Sequence, residues 1–396
     1  MNSANFKRHF PILVLVAVGL ISLLLLSPKP EPSYRDRELS LWIEDLQSEK
    51  LQVVDRAFKA FGYLGEAAVP ALIASLNKED RFIHRWFSFI RSKSPGFIKP
   101  MIGKDIQREH IRAQAAAVLR QLGPVAAQAA PDLIHHLNDT SRPVANLSEL
   151  ALIQMGCAAV PELIIRLKSG SSLKPFVLLR ILQTMGPDAV LASSTIHNFM
   201  MRSNDPDLAL AAAEALLSVD GYDADMLKVA ALNLESRRIQ SRREAAEFLG
   251  RLGSDATSLL PQLERLLVGE NPLVSLAAGE SIHRIQPDHP GFSLAMARFL
   301  TFPDLNIRWK TAKALGRVSP EGSDALPALR HAMLNDGDKV VRIAAAESIG
   351  KYGKRALPMV SALEEAVWDE DDLVRSTANQ SLAAIVQEEM FSSRPE

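Results

Sequence analysis

Apolar positions along most of this chain fall in pairs of segments about a dozen residues long, each with the 3.6-residue period of a helix that buries one face. The first segment of a pair reads like PALIASL from Pro70, PDLIHHL from Pro131, PELIIRL from Pro161 or PQLERLL from Pro261, with further copies at Pro327 and Pro358. Proline in the opening turn of a helix costs nothing, because its missing N–H has no partner there anyway. The second segment is clearest in DKVVRIAAAESIGKYG (Asp338 to Gly353) and DLNIRWKTAKALGRVS (Asp304 to Ser319). Cap residues are expected at Ser141, Ser171, Asp205, Asn271, Asp304, Asp338 and Asp371, where a side-chain oxygen takes up an orphan amide. Four positions on stand Arg308, Arg342 and Arg375, a spacing that predicts an Asp-to-Arg pair on one helix face. Val341, Ala345, Ile349 and Tyr352 mark the buried stripe.

Each second segment ends on a turn residue: Gly65, Gly123, Gly156, Gly186, Asp220, Gly253, Gln286, Ser319 and Gly353, with Val386 in the last equivalent place. The steps are 58, 33, 30, 34, 33, 33, 33, 34 and 33 residues, a repeat array rather than a set of unrelated domains. Glycine at these points predicts helix ends in the left-handed conformation. The ankyrin and tetratricopeptide signatures are missing. The pattern D-x-x-V-R-x-x-A-A-x-x-L-G after an A-x-P-x-L-x-x-x-L helix resembles the short HEAT-like repeats of the bilin-lyase type, over roughly Leu39 to Val386. The resemblance implies an all-α fold, an α-solenoid of about ten antiparallel helix pairs forming a HEAT-like superhelix. It says little of activity, since such proteins include scaffolds, transport receptors and a few enzymes.

The N-terminus departs from this pattern. FPILVLVAVGLISLLLL, from Phe10 to Leu26, carries no charge and follows Lys7, Arg8 and His9. Its length suits one transmembrane helix. The exit through Leu26 into SPKPEP lacks small residues placed for signal cleavage. The expected layout is a short tail at 1–9, a signal anchor at 10–27, a Pro-rich spacer at 28–38, the solenoid at 39–387 and a tail at 388–396. Lys7 and Arg8 nearest the span place the N-terminus in the cytoplasm and the solenoid outside it, in the periplasm. Secretion after cleavage is the alternative.

Composition adds exclusions. With 45 basic and 46 acidic residues the net charge is −1, so no overall field draws the chain to nucleic acid. The single cysteine, Cys157, rules out an internal disulfide and a cysteine-based zinc site. Nine histidines show no H-E-x-x-H or H-x-H spacing, and adjacent His135 and His136 point about 100° apart on a helix. Phosphate-binding loops and nucleophile elbows are absent too. No cofactor, metal or nucleic acid is expected, and the expected partners are proteins together with the membrane that the first helix enters. A lyase-like or other ligand-handling enzyme of the HEAT-like type, working in the groove, is the alternative from a different class.

Two places could carry the binding. The long 58-residue step contains a 25-residue insertion near 81–106. Between Lys78 and Arg120 there are ten basic against four acidic residues, and basic Arg81, Arg85 and Arg91 interleave with aromatic Trp86, Phe87 and Phe89. Such a mixture suits an acidic protein segment or phosphate-bearing headgroups; the other reading is a loop that covers the end of the solenoid. The second place is a row one residue past each arginine position, reading Phe176, Leu210, Arg243, Leu276, Trp309 and Ile343. Leu276, Trp309 and Ile343 are expected to form an exposed apolar strip flanked by Glu247, Glu280 and Glu347, unless they are partly core.

Overall fold

The computed structural model describes residues 31–48, 50–77, 106–170, 175–269, 271–287, 289, 292–317 and 323–392. The expected membrane span at 10–27 and nearly all of the insertion at 81–106 lie outside the described residues. The chain divides into two units, Met1–Leu163 and Ile164–Glu396. The first holds α1 (Leu39–Asp45), α2 (Leu51–Leu64), α3 (Val69–Leu76), α4 (Ile106–Leu122), α5 (Ala130–His135), α6 (Arg142–Met155) and the start of α7 (Val160–Ser169). The second holds the rest of α7, then α8 (Pro175–Met185), α9 (Ser193–Arg202), α10 (Pro206–Val219), α11 (Asp225–Leu234), α12 (Ile239–Leu252), α13 (Leu260–Leu267), α14 (Pro272–Ile285), α15 (Phe292–Ala297), α16 (Leu305–Leu315), α17 (Leu326–Asn335), α18 (Lys339–Lys351), α19 (Val360–Ala366) and α20 (Asp372–Ser392). The architecture is an all-α solenoid, and within each unit described helices pack in successive pairs, such as α5 with α6 and α9 with α10.

Part of the expected spacer is folded. Ser33–Tyr34 and Arg37–Glu38 form a two-residue antiparallel hairpin, with Arg35 and Asp36 at positive φ in its turn. Turns of this hand match the twist of the strands. Tyr34 stacks on Tyr63 of α2 at 4.7 Å, and Arg37 donates to Asp45 of α1 at 2.9 Å. Among the described residues, the run Leu51–Leu76 is apolar enough by composition to span a bilayer. Its Ala57, Phe61, Leu72 and Leu76 are instead buried in helix packing.

The predicted stripe is buried: Val341, Ala345, Ile349 and Tyr352 are all core. The Tyr352 hydroxyl donates to the Leu315 carbonyl at 3.0 Å, and burial pushes its pKa up to about 12. Asp205, Asn271, Asp304 and Asp338 cap their helices as expected. Ser141 makes no such cap and donates to Glu109 at 2.6 Å instead.

Three expectations are corrected. The glycines at the turns have φ from +54° to +60°, but Gly65, Gly156 and Gly253 combine this with ψ between −130° and −135°. This is the mirror image of extended backbone rather than the left-handed helix, and glycine reaches it without strain. The chain then enters a short 3₁₀ segment, such as Gly253–Leu259, that leads into the next pair. Asp220 and Gln286 keep φ at −135° and −140° and have no 3₁₀ segment directly after them, because a side chain disfavours the glycine conformation. Pro358 lies near the end of such a 3₁₀ segment, just before α19.

The third correction concerns the arginines. Asp304 and Asp338 spend their carboxylates on amides of their own helices. Arg308 therefore reaches forward to Asp336 in the next pair, through two hydrogen bonds of 2.7 and 3.1 Å, and Arg342 reaches Asp369 at 2.9 and 3.0 Å. In the first unit Arg112 meets Asp139 at 3.3 Å. Each aspartate also accepts the amide two residues on, and Arg308, Arg342 and Arg375 each donate to the carbonyl six residues back. One guanidinium thus ties a loop to its own helix and, in two of the three, that helix to the next loop.

A second tie joins consecutive second helices. Ser281, Ser348 and Ser381 donate to the carbonyls of Ala246, Ala312 and Ala346 at 2.6, 2.7 and 2.9 Å. Each serine sits against a glycine of the preceding helix, Gly250, Gly316 or Gly350, where a Cβ would fall within 2.6 Å of the hydroxyl.

Candidate binding groove

Within the second unit, α12, α14 and α16 present their +1 positions side by side. Helix α14 has small residues, Ala277 and Ala278, on flanks that meet its neighbours, and Gly250 of α12 admits Ser281 closely. This close approach encloses Leu276, which is only 6% exposed, whereas Trp309 is 36% exposed. Leu276 was expected to be exposed, and the structure corrects this: it is the floor of a groove of which Trp309 is a wall. Leu273, Ala277, Arg243 and Glu247 complete the lining with Glu280, Lys310, Lys313 and Arg317, around about 300 Å³. Ile343 is half-buried and outside this lining. In the same row Leu210 is core and Phe176 is exposed.

The carboxylates do not face the groove as a free rim. Glu247 lies 3.6 Å from Arg243 and Glu280 lies 3.5 Å from Arg317. Glu347, outside the lining, is held by Lys313 and Lys351, each at 2.8 Å. Those two ammonium groups, Lys313 first, keep its carboxyl below the usual range. Four cations (Arg243, Lys310, Lys313, Arg317) stand against two carboxylates (Glu247, Glu280) in the lining, a balance of +2. Lys310 is exposed, and the buried Nε of Arg243 has Glu247 at 3.6 Å, beyond hydrogen-bond distance. Glu247 and Glu280 do line the groove, beside cations that the sequence reading did not include.

The structure brings together Leu276, Trp309, Glu247 and Glu280 of the expected residues, and leaves Ile343 and Glu347 beside the groove. Arg81, Arg85, Trp86, Phe87, Phe89 and Arg91 lie outside the described residues. Arg243 stands in the row read from the sequence without being assigned to the site, and Lys310, Lys313 and Arg317 were not assigned either, although Lys313 and Arg317 follow Trp309 by one and two helical turns.

A family comparison agrees with the repeat reading. Residues 293–383 match the family model for HEAT repeats. No curated protein matches the chain. Among solved structures, the chain is similar to the karyopherin Kap121p bound to the extreme C-terminus of the protein phosphatase Cdc14p, with 12% identity and a TM-score of 0.42, covering 98% of this chain and 50% of that one. It is also similar to Kap95p in its complex with RanGDP, with 15% identity and a TM-score of 0.47 over 89% of this chain and 55% of that one. The CpcE–CpcF complex of phycocyanin lyase from Nostoc sp. PCC7120 matches at 18% identity with a TM-score of 0.23, over 91% and 99%. The chain spans about half the length of the karyopherins it matches.

Proposed function

We propose that this protein is a non-catalytic, membrane-anchored scaffold whose groove on α12, α14 and α16 binds an acidic peptide segment carrying an apolar anchor. The observation behind this reading is the juxtaposition of an apolar floor and an exposed indole with a surplus of cations. Leu273, Leu276 and Ala277 suit an aliphatic or aromatic side chain stacked on Trp309, while Arg243 and Lys310 suit flanking carboxylates. A buried anchor supplies most of the affinity in such a site, and rim charge supplies selectivity.

Fluorescence polarisation with labelled peptides tests it. An acidic peptide with a central Leu or Phe binds, and a basic peptide of the same anchor does not. Replacing Trp309 by Ala together with Ile343 by Ser weakens binding roughly thirtyfold, about 2 kcal/mol, and lowers the melting temperature by only a few degrees. A preference for the basic peptide, or capture unchanged in the double variant, rejects the groove.

The membrane part of the proposal rests on the uncharged run at Phe10 to Leu26 behind Lys7 and Arg8. With the solenoid outside the cytoplasm, protease added to cells with a permeabilised outer envelope and a sealed inner membrane removes residues 28–396. Protection of that part reverses the orientation.

A further inference from the structure

A second cluster lies on α9 and α11 of the same unit, away from the groove residues in sequence. His197 on α9, Asp223 in the loop before α11 and Asp225 at the start of α11 turn one ligand atom each toward a common point, all within 4.8 Å of one another. His197 Nε2 is 3.1 Å from Asp225 Oδ2 and 3.7 Å from Asp223 Oδ2. We propose that His197, Asp223 and Asp225 form a binding site for a first-row divalent cation such as Zn²⁺.

The donor spacing fits that ion. Ligands at about 2.0–2.2 Å from zinc in tetrahedral array stand roughly 3.3–3.6 Å apart, between the two distances from His197 found here, and the two carboxylates lie within 4.8 Å of each other. An imidazole nitrogen with two carboxylates suits zinc better than the oxygen-loving magnesium or calcium. A single Nε2–H has one direction and satisfies only one carboxylate well, whereas a metal ion engages all three groups. Asp225 gives its other oxygen to Lys228 at 2.7 Å, and Asp223 gives its other oxygen to the Asp225 amide at 2.8 Å. Each carboxylate is thus held from behind with one oxygen left toward His197, as ligating carboxylates are. Lys228 opposes a cation, and Asp220, which lines the same hollow, offsets it. Counting Asp220, Asp223 and Asp225 against Lys228 leaves two negative charges for a divalent ion. Beside His197 and Asp223 the hollow opens to about 380 Å³, with Ser193, Asn198 and Tyr222 in its wall, which leaves room for water or a further ligand in the open coordination position.

Isothermal titration of the chelator-treated full chain with Zn²⁺ tests the site, with Mg²⁺ as the control. The expected result is one Zn²⁺ per chain with a dissociation constant in the micromolar range, no Mg²⁺ uptake, and at least about tenfold weaker binding in His197→Ala and in Asp223→Asn. His197 is about one-third exposed, so circular dichroism of His197→Ala is expected to match the parent; if that variant fails to fold, Asp223→Asn carries the test. Absence of saturable uptake below about 1 mM, or uptake that both variants leave unchanged, means that the three side chains form only an ion pair and overturns the proposal.

Discussion

Asp336→Ala is expected to destabilise the second unit by about 3 kcal/mol, read as a drop in the urea midpoint of the full chain. The Asp336 side chain is 6% exposed and its Arg308 partner 18% exposed. Removing the carboxylate strands a nearly buried guanidinium, takes two charge-assisted hydrogen bonds away from it, and frees the Asp338 amide that starts the next second helix. Loss of Asp336 therefore acts on two pairs at once, which a surface ion pair such as Lys59–Asp55 does not. In a repeat array the effect need not be shared by every pair, so the transition is expected to broaden as well as shift. A shift below about 0.5 kcal/mol, the scale of an exposed pair, would show that the interaction contributes nothing.

The same carboxylate predicts a dependence on pH. Burial alone raises its pKa, but the Arg308 hydrogen bonds, the Asp338 amide and the charges of Arg308 and Arg342 outweigh it and leave the folded value below the ordinary 3.8. A depressed folded pKa means that the stabilisation is complete above the unfolded value and is lost as pH falls through it toward the folded value. The difference in stability between the parent and Asp336→Ala is thus constant at neutral pH and narrows below about pH 4. Asp139 in the first unit is lowered, against its own burial, by the Ser141 amide, a His136 hydrogen bond and the charge of Arg112, so acid is expected to loosen both units over the same range.

The residues legible in the sequence were those whose role is local. The glycine turns, the caps at Asp205, Asn271, Asp304 and Asp338, and the stripe through Val341 and Ile349 each depend on neighbours within a helix turn, and so leave a short periodic trace. Arg308 was misassigned because its partner Asp336 lies 28 residues on, in a loop, while Asp304 offered a nearer carboxylate already committed to capping. Leu276 was placed on the right helices and in the right row, but its burial depends on how closely α12, α14 and α16 approach, which helical periodicity does not encode. The cations of the groove were missed for a related reason: Arg243 and Arg317 meet Glu247 and Glu280 from the same or a neighbouring helix, which a count along one helix does not show. His197, Asp223 and Asp225 come from two helices and a loop and match no spacing motif, so only the fold places them together.

Gly316→Ala carries the other large expected effect, and its sign separates two physical accounts. Gly316 closes α16, and by helix preference alone alanine there would add up to about 1 kcal/mol. Its Cβ, however, would sit 2.3 Å from the Ser348 hydroxyl, 2.7 Å from the Ser348 Cβ and 2.9 Å from its Cα. The hydroxyl can rotate away, at the loss of its buried bond to the Ala312 carbonyl, but the backbone of α18 has to move. Overpacking of this kind costs about 1–3 kcal/mol beyond the preference it defeats, so a net loss of roughly 2 kcal/mol is expected, measured as the urea midpoint. Gly350→Ala meets Ser381 at 2.6, 2.8 and 3.1 Å and is expected to lose a similar amount, whereas an added Cβ at Gly337 meets nothing within 4 Å and Gly337→Ala is expected to be neutral or slightly stabilising. Adding Ser348→Ala to Gly316→Ala removes only the 2.3 Å contact, so it restores part of the loss and no more, because the Cα and Cβ contacts persist. A gain in stability for Gly316→Ala would mean that α16 and α18 stand farther apart than the serine-to-carbonyl tie requires, and the inter-repeat spacing argued for Gly250, Gly316 and Gly350 would fall with it.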